Sequence, residues 1–142
     1  MKLLILINLF LLFGITTNEE GALTKTFHKT IDIDGVESIT AAYDQEVEIL
    51  PWEGSLIMVE VSVVMHNASP AVFSYFEKSG RYETLTSLEG EKMILSPKKK
   101  KQQSVMVKGV KKETFEEVSI KIMVPSEFKK VGEKEWVRES TF

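Results

Sequence analysis

Residues 55–66 read Ser-Leu-Ile-Met-Val-Glu-Val-Ser-Val-Val-Met-His, and this alternation constrains the fold more than any other stretch of the chain. Ile57, Val59, Val61, Val63 and Met65 recur at period two, with Met58, Glu60, Ser62, Val64 and His66 between them. Side chains alternate across a strand, so the stretch predicts a long β-strand with one dry face and one mixed face. Val118 to Val124 repeats the pattern. Two such strands need cover, and the remainder of the chain reads as what covers them.

Shorter alternating runs surround this pair. Residues 30–33, 36–42 and 46–50 predict strands separated by Gly35, by Tyr43-Asp44-Gln45 and then by Pro51-Trp52-Glu53-Gly54. Residues 22–30 read as a lead-in. Ser69-Pro70 predicts a helix start, because serine caps free amides and proline suits the first helical position. Val72, Phe73 and Phe76 share a face, and Gly80 is the expected stop, giving one short helix near 70–79. Strands resume at 82–88 and 92–96, joined by Glu89-Gly90-Glu91, with another beginning at Val105 and the last strong one at 116–124. The expected class is all-β: a two-sheet sandwich or a short β-solenoid-like stack of mostly antiparallel strands with one short helix. The expected core is Ile57, Val59, Val61, Val63, Val118, Ile120, Ile122 and Val124.

The ends divide differently. Lys2, the apolar run Leu3–Phe13 and the small residues Gly14, Thr16 and Thr17 have the order of a secretory signal peptide, so residues 1–17 are expected to be an export signal cleaved after Thr16 or Thr17. Residues 18–25 are then an N-terminal lead-in and 26–128 the domain. Past Phe128 the pattern decays, and 129–142 is expected to be a weakly structured tail.

Composition narrows the function classes. The 142 residues contain no cysteine, which removes disulfides, thiolate metal sites, cysteine nucleophiles and lipid attachment through an N-terminal cysteine. Without residues 1–17, 17 basic and 21 acidic side chains remain, a net charge of −4. That field disfavours nucleic acid. Asp32, Asp34 and Glu37 surround Gly35, but a calcium loop in that frame would place Ala41 where a bidentate glutamate is required, so they read as surface acids. His28 and His66 have no Gly-x-Ser-x-Gly or His-Glu-x-x-His around them and read as surface or edge histidines. Glu46, Glu48, Glu116 and Glu117 offer carboxylate pairs, which are common on strands and need a cleft to be catalytic. Asn67-Ala68-Ser69 matches a glycosylation sequon weakened by Pro70. Trp52 and Trp136 have the rings to stack on sugars, although Trp52 is expected to plug the bottom of a sheet. The sharpest charge feature is Lys98, Lys99, Lys100, Lys101, Lys108, Lys111 and Lys112, seven lysines within fifteen residues. It reads as a solvated hairpin tip or edge guard, and as the candidate polyanion-binding surface if one exists.

With the strands in place, a family resemblance emerges. It rests on Thr26–Thr30, Gly35–Ile39, Val47–Leu50, Trp52, Ile57–Val63, Gly90–Leu95 and the closing Val118–Ser126 with its Val-Pro-Ser. Over about residues 25–128 this order is similar to the exported bacterial β-repeat domain family labelled as adhesins, and to the head domain of auto-transporter adhesins. The resemblance implies export, an elongated β-fold grading into a solenoid, and no catalytic residues or cofactor. Members usually continue with further strand repeats after Val-Pro-Ser, whereas 16 residues follow Ser126 here, so a short or truncated member with an exposed sheet edge is implied. The expected function is a non-enzymatic exported binding module, in the periplasm or at the cell surface, with a cell-surface glycan or an envelope protein as partner. The alternative is a structural envelope protein that self-associates through an open sheet edge.

Overall fold

A computed structural model describes residues 16–17, 22–99 and 114–139. In chain order its elements are β1 (Thr16–Thr17), β2 (Leu23–Ile31), β3 (Ser38–Ala41), β4 (Val47–Trp52), β5 (Ile57–His66), α1 (Pro70–Lys78), β6 (Thr84–Glu89), β7 (Lys92–Pro97), β8 (Phe115–Pro125), β9 (Phe128–Gly132) and β10 (Glu135–Arg138). They form two five-stranded sheets, ordered β1-β2-β5-β8-β4 and β6-β7-β3-β10-β9. The fold is an all-β two-sheet sandwich with one short helix. Strand pairs are antiparallel except β4–β8 and β3–β7, which are parallel and so need the longer connections that carry the chain between sheets.

β5 behaves as its alternation demands. Ile57, Val59, Val61, Val63 and Met65 are buried, and the residues between them are half-buried on the outer face. β8 lies beside it with Val59 opposite Ile122, Val61 opposite Ile120 and Val63 opposite Val118. Each such side chain taken fully out of water is worth about 1.5–3 kcal/mol, so the register is held by the whole row. All eight expected core residues therefore lie in one sheet. The facing layer comes from Ile39, Ala41, Met93, Leu95 and Trp136 of the other sheet, and from Phe73 of α1. The helix forms as its sequence predicts: Ser69 Oγ accepts from the Val72 N–H at 3.3 Å, Pro70 opens the first turn, and Phe73 is the residue it buries. A nine-residue helix is marginal alone and is held here by that insertion.

Three stretches depart from the sequence-based expectation. The lead-in at 22–30 is a nine-residue strand, β2, paired with β5 along its full length from Leu23–Met65 to Ile31–Ile57. Its alternation is masked because Lys25 and Lys29 occupy inward positions. Residues 32–35 form a turn, with Asp32 Oδ1 accepting from the Asp34 N–H and Gly35 at φ 73°. The tail expected at 129–142 contains the hairpin β9–β10, whose Trp136 is buried opposite Ile39. Arg138 fastens that hairpin: Nε donates to the Val36 carbonyl at 3.0 Å, Nη1 meets Glu127 at 2.7 Å, and the guanidinium lies over Phe128. One buried tryptophan and one multidentate arginine stabilise a segment whose lysines and glutamates conceal any alternation. Most of the proposed signal peptide, and the strand expected from Val105, lie outside the described residues. Thr16 and Thr17 pair with Thr24 and Leu23 at the start of β2.

Candidate functional site

The inner face of the first sheet is not uniformly apolar. Lys25 and Lys29 on β2 share the inward parity of Phe27 and Ile31, and Glu116 on β8 shares that of Val118 and Ile120. Charges at such positions need partners, because burying an unpaired charge is far more costly than burying a paired one. The segment from the end of α1 to the start of β6 crosses this part of the sheet and supplies them. Glu77 takes Lys25 at 2.7 and 2.8 Å. Arg81 reaches Glu116 Oε1 through Nη2 at 2.6 Å and Nε at 2.8 Å. Tyr82 donates its hydroxyl to Glu116 Oε2 at 2.7 Å, and Lys29 donates to the Thr84 carbonyl at 2.7 Å. Arg81 and Glu116 keep side-chain exposures of only 8% and 13%.

Aromatic packing sets this crossing in place. The Tyr82 ring stacks on Phe27 with centroids 5.4 Å apart and tilts against Phe73 at 6.0 Å, while Arg81 lies over Phe76 at 4.9 Å. Burial, reinforced by the hydrogen bond to Glu116 and its negative charge, pushes the Tyr82 phenol far up, so Tyr82 stays a donor. Tyr43 on the loop before β4 is also pushed up by burial, partly offset by its 3.1 Å hydrogen bond with Thr84 Oγ1. Lys134 reaches from the β9–β10 turn to hydrogen-bond the Tyr43 carbonyl.

A cleft opens on each side of the Tyr82–Thr84 crossing. The smaller, about 200 Å³, lies between Tyr43, Gln45, Tyr82 and Thr84 on one wall and Val118 and Ile120 on the other. The larger, about 560 Å³, lies toward β2, between Phe27, Lys29, Val59 and Glu77. Most polar groups of the smaller cleft are already engaged with one another. Gln45 stands out among the described residues because its side-chain nitrogen is buried with no hydrogen-bond partner. A buried donor left unmade costs about 1–3 kcal/mol, so it asks for an explanation.

The residues singled out from sequence are distributed elsewhere. Lys98 is tied to Glu83 at 2.8 Å, and that contact holds the Glu83 carboxyl below its ordinary range. Lys99 stands at the rim of the smaller cleft. Lys100, Lys101, Lys108, Lys111 and Lys112 lie outside the described residues. Trp52 is folded back on its own turn: its indole N–H donates to the Leu56 carbonyl at 2.9 Å and its ring covers Gly54, where a Cβ would come within 2.2 Å of it. Trp136 is buried. His28 meets Glu60 at 3.0 Å and His66 meets Glu117 at 3.2 Å, both on the outer face of the first sheet, where His66 also stacks on Phe115. Of the candidate carboxylate pairs, Glu116 and Glu117 are split, the first pointing inward and the second outward, whereas Glu46 and Glu48 line one shallow depression together with Glu60 and Lys121. On that outer face β2, β5, β8 and β4 set His28, Glu60, Lys121 and Glu48 in one cross-strand row, a solvated arrangement of small energetic weight. Among the described residues no three His, Cys, Asp or Glu side chains gather as a metal site, and no helix is long and apolar enough to cross a membrane.

Fold and cleft together define a class: an all-β sandwich with an opening between its sheets lined by tyrosines, aliphatic side chains and a few charged groups. Comparison with protein-family models, with curated proteins and with solved structures finds no match to this chain.

Proposed function

We propose that the chain is an exported, non-catalytic binding module, adhesin-like as the sequence resemblance implies, which holds one sugar unit of a cell-surface glycan in the smaller cleft. The observation that carries this proposal is the Gln45 side-chain nitrogen at the cleft, a buried amide donor with no hydrogen-bond partner among the described residues. Around it, Tyr82, Arg81 and Glu116 are locked in mutual hydrogen bonds and serve as a rigid wall. A preorganised wall beside an unpartnered amide donor suits recognition, because little ordering is left to be done on binding. The volume, about 200 Å³, corresponds to roughly six or seven waters, the bulk of a single sugar ring. Export is supported by the order of residues 1–17.

The test is a glycan array followed by NMR titration with the glycans that bind, for wild type and Gln45→Leu. Binding that shifts the Gln45 side-chain amide signals and disappears in Gln45→Leu, with that variant's melting temperature equal to or above wild type, is the expected result. Binding that survives Gln45→Leu, or an array without a single positive, overturns the proposal.

A further inference from the structure

The larger cleft, about 560 Å³, differs in chemistry from the smaller one, and its volume falls within the roughly 300–1,000 Å³ of small-molecule pockets. Phe27 and Lys29 are consecutive inward residues of β2, opposite Val61 and Val59 of β5. The Tyr82 ring, stacked on Phe27 with centroids 5.4 Å apart, forms a further wall, and its hydroxyl is engaged by Glu116. These walls present apolar surface rather than the hydrogen-bonding groups a sugar needs. The charges of the lining are unequally matched. Glu77 is held by Lys25 at 2.7 and 2.8 Å. Glu83 lies in the field of Lys29, but its contact is with Lys98 at 2.8 Å. His28 meets Glu60 at 3.0 Å. Among the described residues neither Lys29 nor Lys78 has a carboxylate within ion-pair distance. Lys29 gives one hydrogen bond, to the neutral Thr84 carbonyl at 2.7 Å, and an ammonium has three donors.

We propose that the larger cleft binds a single-chain fatty carboxylate, with its head at Lys29 and Lys78 and its chain along Phe27, Val59 and Val61. Charge complementarity selects this occupant. An apolar trough with two cations that lack an anion suits a ligand with an apolar body and one negative end, because the body gains burial and the head gains charge-assisted hydrogen bonds. A neutral lipid would leave both ammonium groups without an anion, and a small inorganic anion would leave Phe27 and the valines facing water. The order of residues along β2 suits one chain of medium length. Lys25, four residues before Lys29, is closed off by Glu77, so the stretch between the two lysines is about 13 Å at the rise of a strand. The inference goes beyond the glycan reading and stands without it, since Gln45 takes no part.

The probes are decanoate, decanol and decyltrimethylammonium, each below its critical micelle concentration, titrated into the purified protein while NMR follows the valine methyl groups. Decanoate is expected to bind once per chain and to move the Val59 and Val61 methyl signals. Decanol has the same chain without the charge and is expected to bind about tenfold or more weakly, the factor that a hydrogen bond to a charged group supplies. The ammonium should bind more weakly still. Lys29→Met should bring decanoate down to the affinity of decanol. Because Lys29 also holds the Thr84 carbonyl, Lys78→Glu at the exposed end of α1 serves as a second variant, with an unchanged melting curve and a reduced preference for decanoate over decanol. The glycan array reads the smaller cleft and decanoate the larger, so the two readings fail separately. Decanoate that leaves the Val59 and Val61 methyl signals unmoved overturns the proposal. So does decanol binding as tightly as decanoate, or a preference for decanoate that survives both lysine variants.

Discussion

Glu116 is an acid on the core side of a strand, kept there because both of its oxygens are engaged, one by Arg81 and the other by Tyr82. The two halves of the ion pair are unequal to their sum. Removing one partner strands the other in a site that is almost dry, at a cost of about 3–5 kcal/mol, whereas exchanging both for apolar groups of similar bulk is often neutral. Glu116→Gln is therefore expected to lower unfolding free energy by several kcal/mol in urea titrations, and Arg81→Met combined with Glu116→Leu to recover most of that loss. A double variant as unstable as the single one would show that the charges themselves hold the crossing segment down. The signal for this residue was present in the sequence. Glu116 has the same parity as Val118, Ile120, Ile122 and Val124, and a charge on the dry face of a strand predicts a partner. Its partners were not legible, because Arg81 and Tyr82 lie 35 and 34 residues away in a turn without periodicity.

At the scale of elements, legibility followed alternation. β5, β8, β7 and α1 were evident because apolar residues fell at the right period and their boundaries carried Pro, Gly or a capping Ser. β2 was missed because Lys25 and Lys29 stand where alternation calls for apolar residues, and their long stems let the ammonium groups reach Glu77 and the Thr84 carbonyl. The β9–β10 hairpin was missed because one buried ring, Trp136, does most of its anchoring. Pairing across sheets was not legible at all: nothing local tells β4 to run parallel to β8 rather than pair with the strand that follows it. The turn between β4 and β5 is a local feature whose reason the structure supplies. Trp52 closes over Gly54, and a methyl group there would overlap the ring. Gly54→Ala must therefore eject the indole or bend the turn, with an expected loss of about 1–3 kcal/mol. Tryptophan emission should shift to the red as Trp52 gains water, while Trp136 continues to report the buried environment of β10. An unshifted spectrum with unchanged stability would mean that the turn yields freely.

Across the whole molecule, the same crossing segment ties folding to proton binding. Tyr43 before β4 and Tyr82 before β6 approach Thr84 and Glu116 from opposite sheets, and both phenols are pushed above their ordinary range chiefly by burial. In the unfolded chain each ionises near pH 10. Above that pH the unfolded state holds fewer protons than the folded one, so stability falls as pH rises, by at most about 1.4 kcal/mol per unit for each tyrosine. The contribution is complete below pH 10 and is lost as the solution becomes more alkaline. Two tyrosines acting together remove up to about 2.7 kcal/mol per unit, a large fraction of the 5–15 kcal/mol that typically holds a domain of this kind together. Alkaline unfolding is therefore expected to be cooperative, with phenolate absorbance from these two residues rising together with loss of the β circular-dichroism signal. Replacing both by phenylalanine leaves Glu116 its arginine and removes the groups that must ionise, so the alkaline midpoint should move upward even if neutral-pH stability drops by about 1–2 kcal/mol from the lost hydrogen bonds. Ionisation of both tyrosines in a chain that keeps its β signal would show that water reaches the crossing segment without opening the sandwich, and the rigid wall assigned to the cleft would then have to be given up.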